Sequence, residues 1–338
     1  MKAALDGAVL DGTTPGAAAL VLTRDGRLLH CAGRLHREAN AGVVDEDTVW
    51  DLASLTKLLS TTLLVARALD EHRLTLDEAP WPRWPGVTIE HVLRHEAGLP
   101  HWRPLYEEAR KRGIAGLPEA KHVVTAAALD VVPDRAPGEA TVYSDIGFIA
   151  LGALLEQRLG PLAEIFEEEA RRRFGATGLR FVRLDVDGFH PALPKVAPTE
   201  RCPWRRRAVH GQVHDENAFA MGGVAGHAGL FGSLRDLERV ARFFLEDMTP
   251  SLRSFALVPD TSPVRRPIGF DRATPLGSTG GALSSASVGH LAFTGCSLWI
   301  DPIAHRAFVL LTNRIHETRE GSEKILALRQ RFHRAACS

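Results

Sequence analysis

The sequence predicts an α/β (α+β) chain: an antiparallel sheet built from both chain ends and flanked by helices, with a mainly helical domain inserted between them. Three observations lead there. Apolar runs with strand character lie near both ends, at residues 17 to 33 and 297 to 311. Between them apolar residues recur at helical spacing, in segments separated by loops that contain Pro and Gly. A chain of 338 residues, 45% of them hydrophobic, can build a substantial core for one large domain or two interleaved ones. The expected division is a sheet domain of residues 1–50 and 270–338 and a helical domain of residues 51–269, with the functional site at the junction.

Taken in order, Met1-Lys2-Ala3-Ala4-Leu5-Asp6-Gly7 meets charge and glycine before any apolar run forms, so no secretory signal is expected. The first expected element is a β-hairpin turning at Asp25-Gly26. A polar loop, residues 34 to 47, leads to Trp50-Asp51-Leu52-Ala53-Ser54-Leu55-Thr56-Lys57 and an apolar helix over residues 58 to 69. Pro80, Pro82, Pro85 and Gly86 end that pattern, and Thr88 caps a short segment running to Leu93. Further helices are expected over residues 104 to 113, 119 to 129, 146 to 158, 162 to 173 and 234 to 247. Residues 297 to 300 and 307 to 311 return to strand around a turn at residues 301 to 306, and a charged amphipathic helix from about residue 320 to residue 334 closes the chain.

Lys plus Arg and Asp plus Glu both number 41, so nothing in the overall charge calls for nucleic acid or an anionic membrane as partner. Arg171-Arg172-Arg173 follows Glu167-Glu168-Glu169 in an expected helix and reads as a self-paired, solvated face. No apolar run approaches the roughly 20 residues of a transmembrane helix. Cys31, Cys202, Cys296 and Cys337 form no Cys-x-x-Cys pair, which fits reduced thiols in a cytoplasm. A cytoplasmic enzyme is the default expectation.

Ser54 stands where a nucleophile could be held. If Asp51 or a neighbour caps the helix, Ser54 falls in its first turn, where unpaired N–H groups and the positive end of the dipole favour a developing alkoxide. Lys57, three residues on, shares its helix face and can reach the hydroxyl. Alone, the pair is also what an ordinary exposed helix carries. The sequence has no Gly-x-Ser-x-Gly elbow, Walker A loop, Gly-x-Gly-x-x-Gly or His-Glu-x-x-His. Two groups, His91 with His95, and His210 and His214 with Asp215 and Glu216, have residue types that could ligate a metal. The preferred reading is no metal, with His95 and His214 making structural hydrogen bonds in loops beside a cleft. Residues 221 to 230 include Gly222, Gly223, Gly226 and Gly229, and read as a tightly packed turn bordering the site rather than a phosphate loop.

Tyr143-Ser144-Asp145-Ile146-Gly147-Phe148, together with Ser54-Leu55-Thr56-Lys57, resembles the serine beta-lactamase and penicillin-binding protein superfamily, most of all its class C-like branch of D,D-peptidases, esterases and amidases. Two further stretches agree: His95-Glu96-Ala97-Gly98-Leu99-Pro100 is similar to that family's His-x-Ser-Gly-Leu-Pro turn, and Gly226-His227-Ala228-Gly229-Leu230-Phe231 to its Gly-Gly-Leu-x-Ser segment. The resemblance covers roughly residues 15 to 315. It implies an acyl-enzyme mechanism without a cofactor: Ser54 attacks a carbonyl, its proton passes to Lys57 and Tyr143, and water later hydrolyses the ester. Asp145 takes the place where many relatives have Asn. A carboxylate there would hold Lys57 charged and shift the base role toward Tyr143.

The third family motif, Lys-Thr-Gly or His-Thr-Gly, is matched by His290-Leu291-Ala292, with Phe293-Thr294-Gly295 as the alternative register. In the preferred register His290 is the polar first residue, Leu291 lacks the hydroxyl that would bind a substrate carboxylate, and the backbone N–H groups of Ser54 and Phe293 form the oxyanion hole. The implied function is a serine hydrolase for a muropeptide, a D-amino-acid amide or a carboxylic ester. The alternative, motivated by Leu291 and Ala292, is a penicillin-recognising binding or sensor protein with little turnover. Beta-lactamase activity is disfavoured, because those enzymes usually work outside the cytoplasm.

Overall fold

The computed structural model describes residues 1–38, 40–188, 195–257 and 266–338. The main sheet has six antiparallel strands in the order Gly26–Gly33, Gly16–Thr23, Arg306–Thr312, Ser297–Asp301, Val288–Leu291 and Asp271–Arg272. It is therefore made from both chain ends, and its hairpin turns at Arg24-Asp25, one residue earlier than the expected Asp25-Gly26, because Gly26 already pairs with Thr23. Gly16–Thr23 is buried on both faces, which explains its unbroken apolar run. Ala17, Ala19 and Val21 pack with Leu5, Ala8, Phe308, Leu328 and Phe332. Ala18, Leu20 and Leu22, on the opposite face, join the main core with Leu298, Val309 and Leu311.

The hairpin is not the first element. A helix, Lys2–Leu10, precedes it. Lys2 pairs with Asp6 one turn on, while Leu5 and Ala8 are buried. Charge and Gly7 do not prevent a short amphipathic helix here, which the sheet and the closing helix, Ser322–Cys337, cover.

The expected helices lie at Glu107–Lys111, Pro118–Leu129, Asp145–Leu159, Leu162–Phe174 and Leu234–Glu246. The first is shorter than its periodicity suggested, bounded by Pro104 and Gly113. Thr88 caps Ile89–Leu93 through the N–H of His91. Two short helices not anticipated, Glu216–Ala220 and Pro250–Phe255, are capped by the side chains of Asp215 and Thr249. Among the described residues no single helix is long and apolar enough to cross a membrane.

Asp145–Leu159 is buried along most of its length and is the central helix of the inserted part. Its Gly152 meets Gly226 of the glycine-rich loop backbone to backbone: a Cβ on Gly226 would lie 2.1 Å from the Phe148 carbonyl oxygen and 2.9 Å from Gly152 Cα. Gly226→Ala is accordingly expected to cost about 1–3 kcal/mol or more, read as a lower midpoint in thermal unfolding. An unchanged midpoint would contradict the close packing.

Candidate active site

The nucleophile candidate sits on a turn rather than inside a helix. The N–H groups of Leu55, Thr56 and Lys57 each bond to the carbonyl three residues back, and a π-helical turn, Lys57–Thr62, follows before the α-helix Leu63–Asp70. Asp51 does not cap that helix, as the sequence had suggested it could. Its buried carboxylate accepts the N–H of Ala53 at 2.8 Å and of His214 at 2.6 Å, bracing the turn from outside. Ala53 has φ of +42°, a strained value for a residue with a Cβ. The kink lies directly before Ser54.

Ser54, Lys57, Tyr143 and Asp145 are brought together. Lys57 is fully buried, and its Nζ lies 3.0 Å from Ser54 Oγ, 3.1 Å from the His227 carbonyl oxygen and 2.6 Å from Asp145 Oδ1. Burial works against the ammonium, but Asp145 and Tyr143 outweigh it, and the pKa of Lys57 is raised above the ordinary lysine value. Burial also pushes the Tyr143 phenol up, with Lys57 opposing and Asp145 reinforcing the shift. At neutral pH the resting forms of Tyr143 and Lys57 are thus a phenol and an ammonium.

The loop of Tyr143 is held by histidines. His95 Nδ1 accepts the N–H of Ser144 at 3.0 Å, and its ring lies 4.5 Å from that of Tyr143 and 5.1 Å from that of Phe148. Burial holds the His95 pKa well below the usual histidine value, so a neutral ring accepts that bond. His101 Nδ1 donates to the Tyr143 carbonyl at 2.9 Å. The other histidines also have structural partners: His91 bonds to Thr88, His210 to the Val196 carbonyl, His214 to Glu200 and His227 to Asp215. The Gly226 packing has a local purpose, since it carries the His227 carbonyl to Lys57.

The third-motif strand pairs His290 with Leu298 and Leu291 with Ser297. His290 is buried, its ring 6.1 Å from that of Tyr143, and its Nδ1–H donates to the Leu291 carbonyl at 2.8 Å. Burial, with Lys57 nearby, lowers its pKa to about 4 even though Asp271 opposes the shift, so it is neutral at pH 7. Leu291, Ala292 and Phe293 line a cavity of about 620 Å³ together with Ser54, Tyr143 and Asp145. Neither the Ser54 nor the Phe293 N–H has a hydrogen-bond partner among the described residues. Arg314 and Arg329 also shape this site and were not singled out from the sequence, and Asp51 was read there only as a possible cap. Arg329 did carry a signal, a charge on the same helix face as Ile325, Leu328 and Phe332.

A family model described as beta-lactamase matches residues 2–331. The chain belongs to the beta-lactamase family. It is 30% identical over 309 residues to a putative D-alanyl-D-alanine carboxypeptidase of Escherichia coli O157:H7, a match spanning 80% of this chain and 70% of the relative. N-acetylmuramyl-L-alanine amidase of Bacillus subtilis (strain 168) is 28% identical over 351 residues, spanning 89% of this chain and 78% of the relative. Among solved structures, EstCE1, a hydrolase with promiscuous acyltransferase activity, superimposes with a TM-score of 0.73 at 19% identity, covering 98% of this chain and 96% of that one. The family and these relatives make this beta-lactamase-family protein a serine hydrolase.

Proposed function

We propose that this protein cleaves a muropeptide or D-amino-acid amide through an acyl-enzyme on Ser54, with simple carboxylic esters as further substrates. The observation that carries the reading is Ser54 Oγ, at the wall of the cavity and 3.0 Å from a buried Lys57. The ammonium of Lys57 stabilises a phenolate at Tyr143, which takes the Ser54 proton as the hydroxyl attacks and later passes it to the leaving group. The N–H groups of Ser54 and Phe293 receive the oxyanion. Asp145 fixes Lys57 in its charged form, and neutral His290 borders Tyr143 from the strand. The carboxypeptidase and amidase relatives, both named for peptidoglycan-type substrates, support the substrate class. Our reading also keeps the division near residues 50 and 270, with the site at the junction, and a cytoplasmic location, supported by the four free thiols.

The apolar Leu291 on the cavity wall favours one competing reading, a binder with little turnover. A fluorophosphonate probe separates the two. Stoichiometric labelling, mapped by mass spectrometry to the peptide containing Ser54, together with turnover of p-nitrophenyl esters or muropeptides, is the expected result. Labelling elsewhere, or none with no ester turnover, would sink the hydrolytic reading.

A further inference from the structure

The bend after the strand Val288–Leu291 carries Phe293, and two buried arginines grip it. Arg329 Nη2 donates to the carbonyls of Ala292 at 2.9 Å and Cys296 at 3.1 Å. Arg314 Nε donates to the Phe293 carbonyl at 3.0 Å, and its guanidinium lies 4.8 Å from the centre of the Phe293 ring. Thr294 Oγ1 donates to the Asp51 carbonyl at 2.8 Å, tying the bend to the turn of Ser54. All hydrogen-bond partners of both guanidiniums among the described residues are backbone carbonyls, and Arg329 Nε is buried with none. An ion placed so deep without a carboxylate costs several kcal/mol, which a methionine of similar length would avoid. Burial lowers the Arg329 pKa to about 10, so the charge is still present at neutral pH.

What that charge touches gives it a use. The Ala292 carbonyl and the Phe293 N–H are the two ends of one planar peptide group, so fixing the oxygen fixes the direction of the hydrogen. A charge-assisted bond to the oxygen also polarises the amide and strengthens its N–H as a donor. The Gly295 N–H donates to the same carbonyl at 3.0 Å. We infer that Arg329 is a positioning residue that locks the Ala292–Phe293 peptide with its N–H toward the cavity, keeping the oxyanion hole formed before substrate arrives. The inference rests on the proposed acyl-enzyme at Ser54 with Phe293 as second oxyanion donor.

The test is pre-steady-state acylation by a p-nitrophenyl ester, with the carbonyl stretch of the trapped acyl-enzyme read by infrared difference spectroscopy. Arg329→Met, shown folded by circular dichroism, is expected to acylate about 10- to 100-fold more slowly, less than the roughly 10²–10³ lost when a donor is removed outright. The substrate concentration that half-saturates the acylation rate should stay within about twofold, since the oxyanion forms in the transition state rather than the ground state. The ester carbonyl should move to higher wavenumber as its hydrogen bonding weakens, and Arg329→Lys should recover part of the rate. A folded methionine variant with wild-type acylation and an unshifted carbonyl overturns the lock. If the methionine variant does not fold, Arg329→Gln is judged by the same two readouts. A wild-type protein that forms no acyl-enzyme at all removes the Ser54 reading and the lock with it, whereas equal rates in wild type and variant remove the lock alone.

Discussion

Ser54→Ala is expected to lower ester and amide hydrolysis by about 10⁴-fold or more, the scale on which removal of a nucleophile acts when its partners work as a unit. The loss should fall on kcat, because the cavity walls, the oxyanion N–H groups and the leaving-group side are untouched. Stability should barely move. Without the Ser54 hydroxyl, Lys57 keeps its bonds to Asp145 and to the His227 carbonyl, so no buried charge is left unpaired. Steady-state kinetics and a thermal melt on the same preparation check both halves. Hydrolysis that survives in the alanine variant would assign the chemistry to another group.

Tyr143→Phe should cost about 10²–10⁴-fold in kcat/KM, the range of general acid–base catalysis. The ring itself is held by contacts with His95 and His101 that phenylalanine retains, so the lost hydroxyl accounts for the loss. The pH dependence gives the sharper readout. Because the Tyr143 pKa lies above its ordinary value and that of Lys57 is also raised, the phenolate is the scarce form at neutral pH. Below the phenol's pKa the reactive fraction grows about tenfold per pH unit, so wild-type kcat/KM should climb on the alkaline side. In the phenylalanine variant that limb should be flat. A wild-type profile that instead rises and levels off near pH 6–7 would point to a histidine and against Tyr143.

Much of the architecture could be read from pattern alone. The terminal strands are apolar runs bounded by turns, and the helices of the middle recur with the right period, because both signals are local. The opening helix was not legible: Leu5 and Ala8 acquire meaning only from Phe308, Leu328 and Phe332, some 300 residues away. The catalytic candidates stood out through ordered motifs, and the expected pairing of Asp145 with Lys57 is present at 2.6 Å. The kink at Ala53 and the π-helical turn after it were hidden, since nothing in Ala-Ser-Leu-Thr-Lys differs from an ordinary helix start. The two arginines, and the bracing role of Asp51, were hidden for another reason. Each acts by holding backbone carbonyls or N–H groups, and such partners leave no trace in residue identity.

The sheet that joins the two ends of the chain has a kinetic consequence. Ala17 pairs with Thr312, so one of its interior ladders joins segments separated by nearly the whole chain. Loops of that length close slowly, and contacts of such sequence separation form late. The bend at Phe293 and the helix bearing Arg329 lie late in the chain, so the second oxyanion donor depends on the last segments to be made. Hydrolytic competence should therefore be acquired only once the ends of the sheet meet, and be lost when they part.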